Sequence, residues 1–258
     1  VWNGDNYVTA FSLTVGEATY EAVVHDGRIT VDVPYDASLD GAEVHYELCE
    51  HASIHPDPAT IRDWSQEWQF LVSSYGQSDR TYIYTVNRTD VATGGSLTLR
   101  TQAEVDAFAA SRINVVEGNL TIGVEGGEAI VNLDGLAGLV SVRCDLTVTN
   151  AYRGEDLAGL AGLRRCESLR IGSAGAPNET LKRIELPALR EVAGDLQLCG
   201  TAVRSVVFSA LQRVDGAFAV GSDALAEIVA DELESVGGDM RLAGSTGNAA
   251  KAPCEQMY

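Results

Sequence analysis

The chain has 258 residues, 45% of them apolar, and carries 37 acidic against 18 basic side chains for a net charge of −19. That length suits two domains, and so acidic a surface, with no compensating basic patch in the sequence, argues against nucleic acid or an anionic membrane as partner. No apolar run approaches the roughly 20 residues of a membrane span and no signal peptide is present, so the chain reads as a mature or trimmed form.

Residues 1–90 contain short alternating or β-branched runs at 7–15, 20–25, 28–33, 42–48, 68–73 and 80–86. Asp26-Gly27 is the signature of a two-residue hairpin between two of them. Six or seven short strands in this length predict an immunoglobulin-like β-sandwich. Of its two neighbouring tryptophans, Trp68 is expected in the core and Trp64 partly exposed. His45, Cys49, His51 and His55 share one face of an extended segment, but a strand advances about 7 Å per two residues, so one tetrahedral ion would reach only neighbours such as Cys49 and His51. They are read as exposed polar residues, and no metal or cofactor is expected.

Residues 89–95 have the composition of a linker, and a second domain is placed at 95–258. Residues 96–99 read as an opening strand. Thr101 and Glu104 form a capping box for a short helix with Val105, Phe108 and Ala109 on its apolar face, a cover for the first turn of a stacked array. From Val116 onward one phrase recurs: VEGNLTI at 116, VRCDLTV at 142, RCESLRI at 165, VAGDLQL at 192, VDGAFAV at 214 and VGGDMRL at 236. Its central apolar residues are Leu120, Leu146, Leu169, Leu196, Phe218 and Met240, a spacing that marks stacked supersecondary units. Apolar and polar residues alternate inside each phrase, the period of a strand with one buried face. A second apolar pattern lies between phrases, with no stretch periodic enough for a full helix. The prediction is a right-handed parallel β-helix whose core is a stacked ladder of Leu, Val and Ile.

The residues just before the central positions are Asn119, Asp145, Ser168, Asp195, Ala217 and Asp239; they are expected to satisfy backbone amides rather than to perform catalysis or bind calcium. Arg164-Arg165 and Lys182-Arg183 read as solvated corners. Loops at 123–129, 149–155 and 172–180 are long and should project from one edge, whereas those at 199–202 and 221–224 are short. Cys144 and Cys166 fall at nearly matching places in successive repeats and either pair or sit separately in the wall. Asn87, Asn119 and Asn178 each begin a glycosylation sequon. The tail at 243–258 is expected to lie across the last turn or to fray.

The phrase L-x-x-I-x-L-P-x-L-x-x-V-x-G-D-L-x-L, complete from Leu181 to Leu198, resembles the repeat of receptor L-domain-like proteins: bacterial surface lipoproteins, fungal cell-wall proteins and, more distantly, the L domains of growth-factor and insulin receptors. The resemblance covers residues 95–242. Departures are Arg165 in place of Val, Cys144 and Glu167 in place of Gly, and Ser168 and Ala217 in place of Asp. It implies a non-enzymatic binding or adhesion protein of the cell surface or secreted space, held to a membrane only through an N-terminal lipid anchor outside this chain. The alternatives are a polysaccharide-active enzyme on the same scaffold and a purely structural module of a surface assembly. Alternation puts Thr121, Thr147, Arg170, Gln197, Ala219 and Arg241 on the outward face of the common sheet, a stripe that looks free of acids. By the resemblance, this face and its bordering loops meet a protein or glycan ligand, with Thr121, Thr147, Arg170 and Gln197 as contacts and Tyr152 and Arg153 at the edge.

Overall fold

A computed structural model describes residues 5–244. The chain divides into two compact units, Val1–Asp90 and Val91–Tyr258. Strands are the main regular structure of both.

The first unit contains β1 (Val8–Val15), β2 (Ala18–His25), β3 (Arg28–Pro34), β4 (Glu43–Leu48), β5 (Ser53–His55), β6 (Trp68–Ser73) and β7 (Asp79–Thr89). They hydrogen-bond in one continuous series, β4-β1-β2-β3-β7-β6-β5. Neighbours are antiparallel except β3 and β7, which run parallel. The β2–β3 hairpin turns on Asp26 and Gly27, with φ of 46° and 73°, the left-handed backbone that matches a tight turn to the twist of its strands. A side chain at Gly27 would also press on the Thr81 carbonyl at 2.8 Å. The core centres on Phe11, Trp64, Phe70 and Tyr84, with the Trp64 and Tyr84 rings edge to face at 5.1 Å.

The two tryptophans exchange their expected places. Trp64 is fully buried, whereas Trp68 is half-exposed and its indole Nε1 donates to the Asp63 carbonyl at 2.9 Å. Trp68 opens β6 and so lies at the rim of the inner face. The segment before it brings Trp64 to the centre, where the Tyr84 hydroxyl donates to the Trp64 carbonyl at 2.7 Å. The short β5 carries little residue signal of its own.

In the second unit the strands form three parallel sheets. The seven-stranded sheet stacks Leu97–Leu99, Leu120–Ile122, Leu146–Val148, Leu169–Ile171, Leu196–Gly200, Phe218–Ser222 and Met240–Ala243 in chain order. The six-stranded sheet stacks Val115–Val116, Ser141–Val142, Arg165–Cys166, Glu191–Val192, Arg213–Val214 and Ser235–Val236. A three-stranded sheet joins Arg183–Glu185, Ser205–Val207 and Glu227–Val229. Successive repeats thus add strands in order, and Leu97, Leu120, Leu146, Leu169, Leu196, Phe218 and Met240 are partners in register. Apart from the exposed Met240, their apolar side chains, with those of the other sheets, make one continuous core. No repeat could bury its apolar face without the next, which is why the ladder is in register.

Register corrects one alignment. The inward rung of the six-stranded sheet runs Val116, Val142, Cys166, Val192, Val214 and Val236. Cys166, not Arg165, therefore stands for the valine, and that repeat is one residue shorter between its two strands. Arg165 faces out opposite Ser141 and Glu191.

The helix α1 (Gln102–Ala110) begins at Thr101, whose hydroxyl accepts from the Glu104 amide at 3.1 Å. The Glu104 carboxylate accepts from the Arg100 amide, one residue before the cap. Val105 and Phe108 are buried, but Ala109 is exposed, so the apolar face is narrower than expected. Two single-turn 3-10 segments, Asp134–Leu136 and Ala158–Leu160, follow in the next two repeats. A Cβ at Gly135 would collide with the Val105 carbonyl, and one at Gly159 with the Leu133 carbonyl. Glycine is what lets these backbones stack. In later repeats Ile184, Val206 and Ile228 replace this Leu-x-Gly-Leu pattern, and β-branched residues favour the three-stranded sheet found there.

The expected linker is shorter than its composition implies. Thr89 ends β7, the Asn114 amide donates to the Val91 carbonyl and the Thr93 amide to the Val115 carbonyl, both at 3.0 Å, so residues 91–93 already belong to the second unit. Among the described residues no helix is long and apolar enough to cross a membrane. Cys49, Cys144 and Cys166 are free thiols, and Cys199 is disulfide-bonded. A Cys144–Cys166 bridge is ruled out by the register, since Cys166 points inward opposite Val142 while Cys144 is exposed two residues further along. The tail from residue 245, including Cys254, lies outside the described residues.

Burial of Cys166, with the Asp145 and Glu167 carboxylates adding to it, pushes its thiol from 9.0 up to about 12. The unfolded chain releases this proton near pH 9 while the folded chain holds it, so the stabilisation is complete below pH 9 and is lost as pH rises toward 12. The melting temperature of the second unit is expected to fall through that window, and Cys166→Val to flatten the fall. A melting curve that is unchanged from pH 9 to 12 would contradict the buried rung.

Candidate ligand-binding face

In the three-residue strands of the seven-stranded sheet the middle residue stands out from two buried neighbours, the pattern of Leu120-Thr121-Ile122 and its successors. Thr121 pairs with Thr147, Thr147 with Arg170 and Arg170 with Gln197. The structure therefore brings four predicted contacts into one half-exposed row, with about 4.8 Å between neighbouring strands. Thr98 extends the row at one end through its pairing with Thr121. Ala219 and Arg241 extend it at the other, but Ala219 is only 3% exposed and offers no contact.

The row is not free of acids. Arg170 Nη1 lies 2.6 Å from Asp145 Oδ2, although Asp145 belongs to the neighbouring repeat and stands just before its strand. Both side chains are partly exposed, so the pair contributes at most about 1 kcal/mol. What it does is hold the guanidinium plane in place on the sheet. Asp239 in the last repeat likewise accepts from Arg241 at 2.8 Å, whereas three other residues in this position act on the backbone: Ser96 Oγ accepts from the Asn119 amide at 3.0 Å, Asn119 Oδ1 from the Asp145 amide at 3.1 Å, and Asp195 Oδ1 from the Ala217 amide at 2.8 Å. Each of these three side chains ties its repeat to the next.

Tyr152 is not at the edge of this face. It is 1% exposed, its backbone bridges to Ile130, and its hydroxyl donates to the Asp156 carbonyl at 2.7 Å. Burial pushes its phenol well above the ordinary value, with Asp156 and Asp134 adding to the shift. Gly154 makes room for the ring, because a Cβ there would collide with the Tyr152 hydroxyl. The 149–155 loop thus folds onto the core instead of projecting. Arg153 is exposed with its amide bonded to the Ile130 carbonyl at 2.8 Å, and among the described residues no hydrogen bond or ion pair ties it to the row.

The residue that organises this corner is Asn178, which is fully buried. Its Nδ2 donates to the Thr149 carbonyl at 3.1 Å and the Tyr152 carbonyl at 3.0 Å. Its Oδ1 accepts from the Thr180 amide at 3.1 Å and the Leu181 amide at 2.9 Å. In the folded chain the amide nitrogen of this sequon is thus buried and engaged. The signal available in the sequence was the Asn itself, whose side chain favours bonding to amides two and three residues on.

Among the described residues no three His, Cys, Asp or Glu side chains gather closely enough to hold a metal. His45 on β4 and His55 on β5 lie at opposite ends of the strand order. Shallow hollows among the described residues include one of about 470 Å3 beside β4, lined by residues that include Gly41, Val44, Ile61 and Arg62, and one of about 370 Å3 on the six-stranded sheet. The chain matches no protein-family model, and no curated protein matches it significantly.

Proposed function

We propose that this chain is a non-enzymatic binding protein of the cell surface or secreted space, in which an immunoglobulin-like module precedes a right-handed β-helix of the receptor L-domain-like kind. Its ligand face is the outer side of the seven-stranded sheet, and its ligand is a protein or a glycan. The observation that carries this reading is the in-register row Thr121, Thr147, Arg170 and Gln197. Such a row offers hydroxyl, guanidinium and amide groups on an open, shallow surface, which suits a macromolecule better than an enclosed small molecule. The disulfide at Cys199 also supports the location, because such bonds persist in oxidising compartments.

The test is a glycan and protein array probed with the whole chain. For the ligand found, Arg170→Ala is expected to weaken binding by about 1 to 2 kcal/mol. The melting temperature should stay nearly constant, since Arg170 loses only its half-exposed pair with Asp145. Unchanged affinity in Arg170→Ala/Gln197→Ala would move the site off this sheet. Cleavage of an arrayed polysaccharide would favour the enzyme reading instead.

A further inference from the structure

The outer face of the six-stranded sheet gathers arginine on a protein of net charge −19. Arg165, Glu191, Arg213 and Ser235 are outward partners in register, beyond a buried Ser141. One position earlier, the Arg190 amide donates to the Arg164 carbonyl and the Gln212 amide to the Arg190 carbonyl, each at 2.9 Å, so these three residues also stack in line. Arg213 is held by Glu191 and Asp215, and Arg143 by Glu117. Arg164, Arg165 and Arg190 are different: they are exposed and, among the described residues, no ion pair or hydrogen bond engages their guanidinium groups. Beside them lies the hollow of about 370 Å3 lined by Arg190, Glu191, Gln212, Arg213, Glu234 and Ser235.

Uncommitted guanidinium groups are planar forks that bind carboxylates and similar oxyanions through two parallel hydrogen bonds. Here they come from two adjacent repeats, stacked about 4.8 Å apart, a spacing suited to a chain bearing one anionic group every unit or two. The acidic remainder of the protein repels a polyanion and so confines it to this patch. Duplex nucleic acid, with a charge every roughly 1.7 Å, is repelled more strongly than a sparsely charged glycan. Glu191 is occupied by Arg213, while the exposed Glu167 and Glu234 bound the patch and limit where ligand charge can fall. We propose that this patch binds a linear anionic polysaccharide, its acidic groups on Arg164, Arg165 and Arg190 and a hydroxyl-rich stretch in the hollow against Gln212. This site is separate from the seven-stranded sheet and does not depend on that face having a ligand.

The whole chain would be passed over immobilised polygalacturonate, which carries carboxylates, and dextran sulfate, with duplex DNA as a third polymer. Binding to at least one of the two polysaccharides is expected, weakening as salt is raised, and the polymer retained identifies the acidic group. Arg165→Ala/Arg190→Ala should weaken it about tenfold, because each lost contact of an exposed charge is worth about 0.7 kcal/mol. Arg100→Ala/Arg204→Ala removes the same charge elsewhere and should change it less than about twofold. Melting curves would establish that both variants remain folded. No binding to either polysaccharide, tighter binding to DNA, or equal losses in the two variants would overturn the proposal.

Discussion

Leu196→Asp is expected to unfold the second unit or leave it insoluble, whereas Thr147→Asp should fold with a melting temperature close to that of the unaltered chain. Leu196 is fully buried between Leu169 and Phe218 in the ladder of the seven-stranded sheet. A carboxylate there has no partner and no water, at a cost of about 4 kcal/mol or more. That is a large part of the stability of an ordinary domain. Thr147 is the outward residue of its strand and pairs in register with Arg170, so an added carboxylate meets solvent and a nearby cation. Thermal unfolding of the two variants, read with circular dichroism, decides the matter. Equal tolerance would mean that the inward and outward faces are assigned the wrong way round.

The second large effect is expected at Asn178. Replacing it by Ala strands the amides of Thr180 and Leu181 and takes one of two donors from each of the Thr149 and Tyr152 carbonyls. Unsatisfied buried groups cost about 1 to 3 kcal/mol each when water cannot reach them, and partial relaxation brings the expected total loss to about 3 kcal/mol. Asn119→Ala is the matched comparison: Asn119 is exposed and its side chain accepts one amide, from Asp145, so the expected loss is below about 1 kcal/mol. Urea unfolding of both variants measures the difference. Similar losses would show that the 149–155 loop is not anchored through Asn178.

The repeat and its ladder could be read from the residues because a strand with one buried face writes a two-residue period into any sequence. Leu120, Leu146, Leu169 and Leu196 had to share a side, and their outward neighbours Thr121, Thr147, Arg170 and Gln197 had to share the other. Asp26-Gly27 and Thr101 were legible for a similar reason, since a tight turn and a helix start each depend on a few adjacent residues. The errors arose where a side chain's surroundings come from distant parts of the chain. Tyr152 looked like a loop aromatic, but Gly154 and Asn178 fold its loop onto the core. Trp64 and Trp68 have similar local sequence, and only the path of the segment before β6 decides which one reaches Phe11 and Tyr84.

Periodicity, composition and turn chemistry thus determined a strand-rich chain with a repeating second half, a buried ladder and an outward row. Those properties arise from interactions among near neighbours, which a linear string preserves. Tertiary structure alone decided that Cys166 replaces a valine in its rung, that Asp145 grips Arg170 from another repeat, and that the exposed Arg164, Arg165 and Arg190 adjoin on one face. The one-residue shortening at Cys166 can be absorbed between sheets only if hydrogen bonding to the repeats on either side restores the register. Contacts of that kind are set by the stacking of whole repeats, and stacking distance bears no relation to distance along the chain.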